Sequence, residues 1–402
     1  MERHVKHGEE KTLMPTKTPW IGETAGNSDA LFHQYKVFGE MAMDLVYLVT
    51  GGCGYIGEHI VRLLVTEDYV KEVRVLYHTR KGSELEKLST ANTTVTLVKG
   101  DVTDYNQVLK AIEGVHVVIH TAALLDYFDQ SPYHKMEAIN VGGTEHVINA
   151  CLASDVTYLV FTGSIAAVGP NKHNEPMFRG TEDTFYTGEQ GMPYGKTKAQ
   201  AEKLIRAANS RLTNHGKTLT TCVIRPSNIY GEKTSSLLDG YVSAKSKNYR
   251  IAYIEPENLD QNYTYVGNVA WMHVLAARQL QMKPELLGGQ VYYPYDDTPV
   301  RQRYKLLYEL YTDLDPRMQL GSHIPYWQMW LIISIFNIVA FLVRPFYTLN
   351  PFLTSNTLNF AVTTFSYETD KAFRDFGYQP KYSWMEAKIR TCKWIKNATE
   401  SL

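Results

Sequence analysis

Tyr194 and Lys198 stand four residues apart in Pro193-Tyr194-Gly195-Lys196-Thr197-Lys198, downstream of Ser164. On a helix both side chains project from one face, one turn apart. An ammonium beside a phenol favours the phenolate, which predicts that Tyr194 exchanges a proton near neutral pH instead of near about 10. Such a phenol can take the proton of an alcohol or return one to a ketone. A bare Y-x-x-x-K is usually an exposed amphipathic turn; its order after the other motifs gives this one weight.

The second constellation lies upstream. Val46-Tyr47-Leu48-Val49 reads as a strand, followed by Thr50-Gly51-Gly52-Cys53-Gly54-Tyr55-Ile56-Gly57 and a helical pattern with Ile60, Leu63 and Leu64 on one face. Gly52-x-Gly54-x-x-Gly57 between strand and helix fits a dinucleotide diphosphate resting on the helix N-terminus. Gly51, Gly52, Gly54, Tyr55, Ile56 and Gly57 are therefore candidate cofactor residues. At the end of the second strand, Val73-Arg74-Val75-Leu76-Tyr77, a carboxylate would be expected to hold the adenosine ribose. Tyr77 stands there, followed by His78-Thr79-Arg80-Lys81, and Arg80 can accept a 2′-phosphate. This leans towards NADP(H) over NAD(H), the plain alternative being that Arg80 and Lys81 solvate a loop. After the third strand, Asp101, with Val102, is the candidate for the adenine end, although an aspartate there often only caps a turn.

Positioning these groups requires alternating elements. Further strands read at Val95-Thr96-Leu97-Val98, Val115 to Ile119, Tyr158-Leu159-Val160-Phe161 and Leu219 to Ile224. Helical stretches separate them, and the Tyr194 helix runs towards Ala208. Short apolar runs alternating with helices predict an α/β fold, a Rossmann-type doubly wound parallel sheet. The rhythm breaks near Gly231, leaving one good helix (Val266 to Leu280) and a strand-like Gln290-Val291-Tyr292-Tyr293. The expected organisation is a flexible arm over residues 1–44 and a dinucleotide-binding domain over 45–231. A smaller substrate-binding region over 232–320, a membrane-associated segment over 321–349 and a C-terminal region over 350–402 that packs back on the body complete it.

A formal net charge of -1 over 402 residues, with no Lys/Arg block, gives no electrostatic case for nucleic acid. Cys53, Cys151, Cys222 and Cys392 are scattered without metal spacing, so no metal is expected and reduced thiols in a cytosol-facing protein are the reading. Sequons at Asn92, Asn262 and Asn397 weigh against that compartment. Twenty-eight tyrosines suit an apolar substrate cavity or ordinary packing. The first 44 residues carry no signal-peptide pattern.

Taken together, these motifs, with Gly100-Asp101 and Asn140-Val141-Gly142-Gly143-Thr144, resemble the extended short-chain dehydrogenase/reductases. Arg225-Pro226-Ser227-Asn228-Ile229-Tyr230-Gly231-Glu232, Tyr265 to Trp271 and Tyr292-Tyr293-Pro294-Tyr295-Asp296-Asp297-Thr298-Pro299 narrow the resemblance to the 3β-hydroxysteroid dehydrogenase/Δ5-Δ4-isomerase family. It runs from about Leu45 to the C-terminus. It implies that Tyr194 exchanges the substrate hydroxyl proton, Lys198 lowers its pKa and holds the nicotinamide ribose, and Ser164 hydrogen-bonds the reacting oxygen. It also implies that the Pro226 loop faces the nicotinamide end, and that an aspartate and a tyrosine of Tyr292-Tyr293-x-x-Asp296-Asp297 move protons in an isomerase step. An edge strand with an Asp-rich turn reads that segment equally well. Two departures stand out: Tyr77 replaces the acidic residue of NAD-using members, and Gly163 precedes Ser164 where members often carry a second serine.

From Ile324 to Val343 no residue is charged, a run of about the length that crosses a bilayer. Trp327 and Trp330 at one end and Arg344 at the other suit interface anchors. Pro325, Gln328, Ser334 and Asn337 lower its hydropathy, so a helix lying in the interface or a substrate gate is also open, and a buried core helix is the bland reading. The expected function is NAD(P)-dependent oxidation of a steroid or sterol 3β-hydroxyl, with or without the isomerase step, at endoplasmic reticulum or mitochondrial membranes with the catalytic domain in the cytosol. Its partners would be that substrate and membrane lipid, with a homo-oligomer left open. The alternatives are a decarboxylating C4-carboxysterol 3-dehydrogenase, an NADPH-dependent 3-ketosteroid reductase and a non-enzymatic nucleotide-binding scaffold.

Overall fold

The short apolar runs read as strands above form a parallel sheet sandwiched between helices, its central strands buried and the edge strand Thr94–Lys99 partly exposed. The computed structural model describes residues 44–400 except positions 80, 81, 129, 348 and 352. The expected arm up to residue 43, and Arg80 with Lys81, lie outside the described residues. Strands β1 (Leu45–Thr50), β2 (Val70–Tyr77), β3 (Thr94–Lys99), β4 (Val117–His120), β5 (Tyr158–Thr162), β6 (Thr220–Ile224) and β7 (Val291–Tyr292) form one sheet in the order β7-β6-β5-β4-β1-β2-β3. All its pairings are parallel. The fold is the expected α/β Rossmann-type sheet. Its order reverses between β1 and β4, and the carboxyl ends of those strands open the crevice where such sheets bind ligands. The seventh strand comes from the region expected to serve only the substrate.

Five helices frame that crevice: α1 (Tyr55–Leu64), α2 (Tyr105–Ile112), α3 (Gly143–Ala153), α4 (Pro193–Ala208) and α5 (Val266–Met282). Asp104 caps α2 by accepting from the Asn106 and Gln107 amides, which satisfies donors that have no partner inside the helix. Val147 and Ile148 from α3 and Ile205 from α4 pack on Leu48, Val118, Leu159 and Phe161 of the strands. Each such side chain contributes about 1.5–3 kcal/mol by leaving water.

A second core is built largely from tyrosines: Tyr230, Tyr241, Tyr263, Tyr265 and Tyr311, closed by Ala387 and Ile395 of α7 (Trp384–Glu400). Their hydroxyls find partners, Tyr265 on the Glu232 carboxylate and Tyr311 on the Leu237 carbonyl. Much of the tyrosine therefore serves packing.

The apolar run forms α6 (Tyr326–Val343), 18 residues long and 6% buried over that length. It is not a core helix. Ile333 is its buried residue, while Trp327, Trp330, Ile335, Ile338, Phe341 and Leu342 are exposed. The helix Ser355–Val362 follows and packs on α6, joined by a hydrogen bond from the Tyr326 hydroxyl to Asn359 Oδ1 (2.9 Å).

Candidate active site

Tyr194 and Lys198 project from the same buried face of α4, as their spacing requires. Pro193 sits in the first turn, where its missing N–H costs nothing. Gly195 has no room for a side chain: a Cβ there would lie 2.4 Å from the Ala166 carbonyl oxygen. The helix start is thereby pressed against the turn Ile165–Ala167 that Ser164 caps. The same turn is tied to the Arg225-Pro226 segment, since the Ile165 amide donates to the Pro226 carbonyl at 2.8 Å. Tyr194 on the helix start and Ser164 on that turn are thereby brought together at the end of β5.

Lys198 does something other than expected. Its ammonium donates to the Thr162 carbonyl at 2.6 Å and lies 4.2 Å over the Phe161 ring. Burial pushes its pKa down to about 7, opposed by the Glu202 carboxylate one turn further along α4. Tyr194 accordingly does not acquire the lowered pKa expected from its neighbour. Burial and the adjacent Tyr127 raise it, and only Ser164 lowers it. The reason is desolvation: a buried phenol resists ionisation, and a partly neutral ammonium turned towards a carbonyl does little to offset that.

Glu202 is held by Arg225, whose Nε donates to Glu202 Oε2 at 2.8 Å while Nη2 reaches Oε1. Arg225 Nη1 also donates to the Tyr293 hydroxyl. On the other side of Lys198, His273 of α5 bridges Thr162 Oγ1 (2.8 Å) and the Val269 carbonyl (2.8 Å). Burial, opposed in part by its bond to that carbonyl, holds this imidazole down at about 4, so it is neutral and donates to Val269.

A buried polar chain connects the glycine loop to α4. Thr50 Oγ1 and His120 Nδ1 are 2.6 Å apart, and His120 Nε2 and Thr144 Oγ1 are 3.0 Å apart. The Thr144 hydroxyl donates to the Asn140 carbonyl (2.7 Å), and Asn140 Nδ2 donates to Thr197 Oγ1 (3.0 Å), which donates to the Tyr194 carbonyl (2.9 Å). Asn140 sits in a π-helical turn, Ala138–Gly142, and clasps the Leu124 amide and carbonyl as well. Such turns are frequent where a helix must re-aim one side chain. Burial first, then Lys198, holds His120 at about 3, a neutral link.

The glycine loop suits a diphosphate. A Cβ on Gly57 would stand 2.4 Å from the Gly51 carbonyl oxygen and 2.6 Å from Gly52 Cα, so α1 closes onto the turn only because no side chain intervenes. Gly54 is exposed at the N-cap of α1, where first-turn amides have no helical partner. Tyr55 turns its side chain away: its hydroxyl accepts from Thr234 (2.5 Å) and its ring meets His59 edge-on. Ile56 is half-buried in the first turn. Tyr77 ends β2 beside Lys99, and Asp101 accepts from the Thr103 amide and lies 3.4 Å from His78. The turn-capping reading of Asp101 is thus observed. Val102 is buried over Gly143, and its carbonyl pairs with His146.

Asp296 and Asp297 have structural partners. Asp296 accepts from the Tyr265 and Thr298 amides and from Asn268, and burial raises its pKa. Asp297 accepts from the Trp384 amide at the start of α7. Tyr292 donates to Asp375.

Two residues at the site were missed from the sequence. Tyr127 packs against Tyr194 with ring centroids 5.3 Å apart, and Phe360 stacks on Tyr127 at 6.1 Å. Tyr127 had a signal, since it lies in the loop leaving β4 next to the switch point.

The 3-beta hydroxysteroid dehydrogenase/isomerase family model matches residues 48–325. The chain belongs to this family. It is 42% identical over 355 residues to "3 beta-hydroxysteroid dehydrogenase type 7" of Mus musculus, covering 88% of this chain and 96% of that protein. It is 41% identical over 363 residues to the protein of the same name in Homo sapiens, covering 90% and 98%. Among solved structures it is similar to DesIV, a dTDP-glucose 4,6-dehydratase from Streptomyces venezuelae with NAD and TYD bound. There the TM-score is 0.66, with 18% identity over 89% of this chain and 98% of that one. It is also similar to MoeE5 in complex with UDP-glucuronic acid and NAD, with a TM-score of 0.62, 17% identity and coverage of 88% and 99%. The protein is an oxidoreductase on a Rossmann-type scaffold with NAD-binding fold relatives.

Proposed function

We propose that the protein oxidises the 3β-hydroxyl of a steroid or sterol to the 3-ketone, using NAD(P) at the surface of the endoplasmic reticulum. One observation carries this reading: Tyr194 lies against the turn that Ser164 caps at the end of β5, walled by Met136, Met192, Leu124, Tyr127 and Phe360. A site with a few polar groups in an apolar wall suits an apolar alcohol.

The nicotinamide, when bound, supplies the hydride acceptor; proton handling falls to the chain. Gly51 to Gly57 would hold the diphosphate and Lys198 the nicotinamide ribose, with Tyr77 and Asp101 at the adenosine end. Tyr77 presents no carboxylate to repel a 2′-phosphate, which favours NADP(H). In its phenolate form, which the positive charge of an oxidised nicotinamide would favour, Tyr194 takes the carbinol proton, and Ser164 donates to the oxygen on which negative charge develops. The exposed apolar α6 supports the membrane reading.

The isomerase step is a second reading, favoured by the family description and by the raised pKa of buried Asp296. Incubation with a Δ5-3β-hydroxysteroid and each dinucleotide tests both. Reduced dinucleotide without the conjugated enone absorbance means dehydrogenation alone, and neither signal sinks the substrate assignment. Tyr194→Phe should lower turnover by about 10²-fold or more while leaving dinucleotide affinity within about threefold; unchanged turnover would refute its role.

A further inference from the structure

We propose that Tyr127 and Phe360 determine what the site accepts: the two stacked rings form the wall on which a flat apolar skeleton lies. This rests on the steroid or sterol reading above.

Tyr127 touches both halves of the site. Its ring lies against Tyr194 at 64° and against Phe360 at 25°. Both rings are half-buried, while Tyr194 beside them is buried. A flat ring system prefers to stack against such aromatic faces, and around them the lining is Leu124, Met136, Ala166 and Met192.

Phe360 is also pinned. Thr357, one turn earlier, donates its hydroxyl to the Tyr127 carbonyl, and Gln261 Nε2 donates to the Phe360 carbonyl at 3.0 Å. The helix that carries it directly follows α6 and is bonded to it through Tyr326 and Asn359. The helix carrying Phe360 is therefore tied to the element expected to meet lipid, which would place an apolar skeleton between membrane and Tyr194.

The test uses the full chain in detergent micelles, with retention of radiolabelled cholesterol as the binding probe and steady-state turnover as the second readout. Phe360→Ala should weaken sterol binding about tenfold, equivalent to about 1.4 kcal/mol, with KM in turnover rising in step. Phe360→Leu should lie between it and wild type, and it carries the test if the alanine variant does not fold. Tyr127→Phe keeps the ring, so its sterol affinity should stay within about twofold. Wild-type affinity in both Phe360 variants overturns the wall, and so does an about tenfold loss in Tyr127→Phe, which would put the recognition on the hydroxyl and not on the ring. A wild-type protein that retains no sterol removes the substrate reading itself, and the wall with it.

Discussion

At the scale of single residues, burial rather than pairing sets the charges of this site. Lys198 is held at about 7 by desolvation, with Glu202 resisting the shift. The unfolded chain keeps the ordinary lysine value near 10.4. Between about pH 7 and 10 the unfolded state therefore binds more protons than the folded one, so stability rises with pH across that window. From pH 7 to 9 this group should add about 2 kcal/mol. Lys198→Met lacks the group, so the stability gap between wild type and variant should shift by that amount in favour of wild type as the pH is raised. Urea unfolding at several pH values measures it, and parallel curves for the two proteins would show that Lys198 is not titrating as its burial dictates.

At the scale of elements, the sequence carried most of what builds the crevice and little of what roofs it. Strands β1 to β6 were readable because apolar runs of four to six residues bounded by glycine leave few alternatives, and the Gly52, Gly54, Gly57 spacing fixed where α1 begins. Asn140, Thr144 and Thr197 could not be joined in advance, because their chain of hydrogen bonds depends on a π-helical turn and on packing across as many as 57 residues of sequence. Phe360 was out of reach for the same reason, since 233 residues separate it from Tyr127. The loop that was legible also makes a sharp prediction. A methyl group on Gly57 would collide with the Gly51 carbonyl oxygen and with Gly52, both backbone, so neither can rotate aside. Gly57→Ala should therefore push α1 off the turn and weaken dinucleotide binding by about tenfold or more, while Gly114→Ala, on a distant turn with open space around it, should leave binding unchanged. Titration of the two variants with each dinucleotide decides it, and equal affinities would mean that the diphosphate does not rest there.

For the molecule as a whole, the Rossmann-type sheet and the tyrosine core bury the large apolar side chains of the body, while α6 concentrates exposed ones along a single helix. An 18-residue helix rises about 27 Å, close to the hydrocarbon thickness of a bilayer. Its exposed Ile335, Ile338, Phe341 and Leu342 are costly in water, and Trp327 and Trp330 near its start suit the interface. The adjoining helix Ser355–Val362 reaches the Tyr194 site through Phe360, so the exposed apolar helix and the proposed catalytic site are linked by consecutive segments of one chain. Ile338→Lys places a charge in the exposed apolar stretch without touching the buried Ile333. At the centre of a spanning helix a lysine costs about 2.5–3.5 kcal/mol, so flotation of the full chain with phosphatidylcholine vesicles should fall markedly, while turnover of detergent-dispersed steroid stays near wild type. Loss of both together would mean that α6 supports the body's fold instead. Full flotation of Ile338→Lys would mean that this face of the helix does not meet lipid.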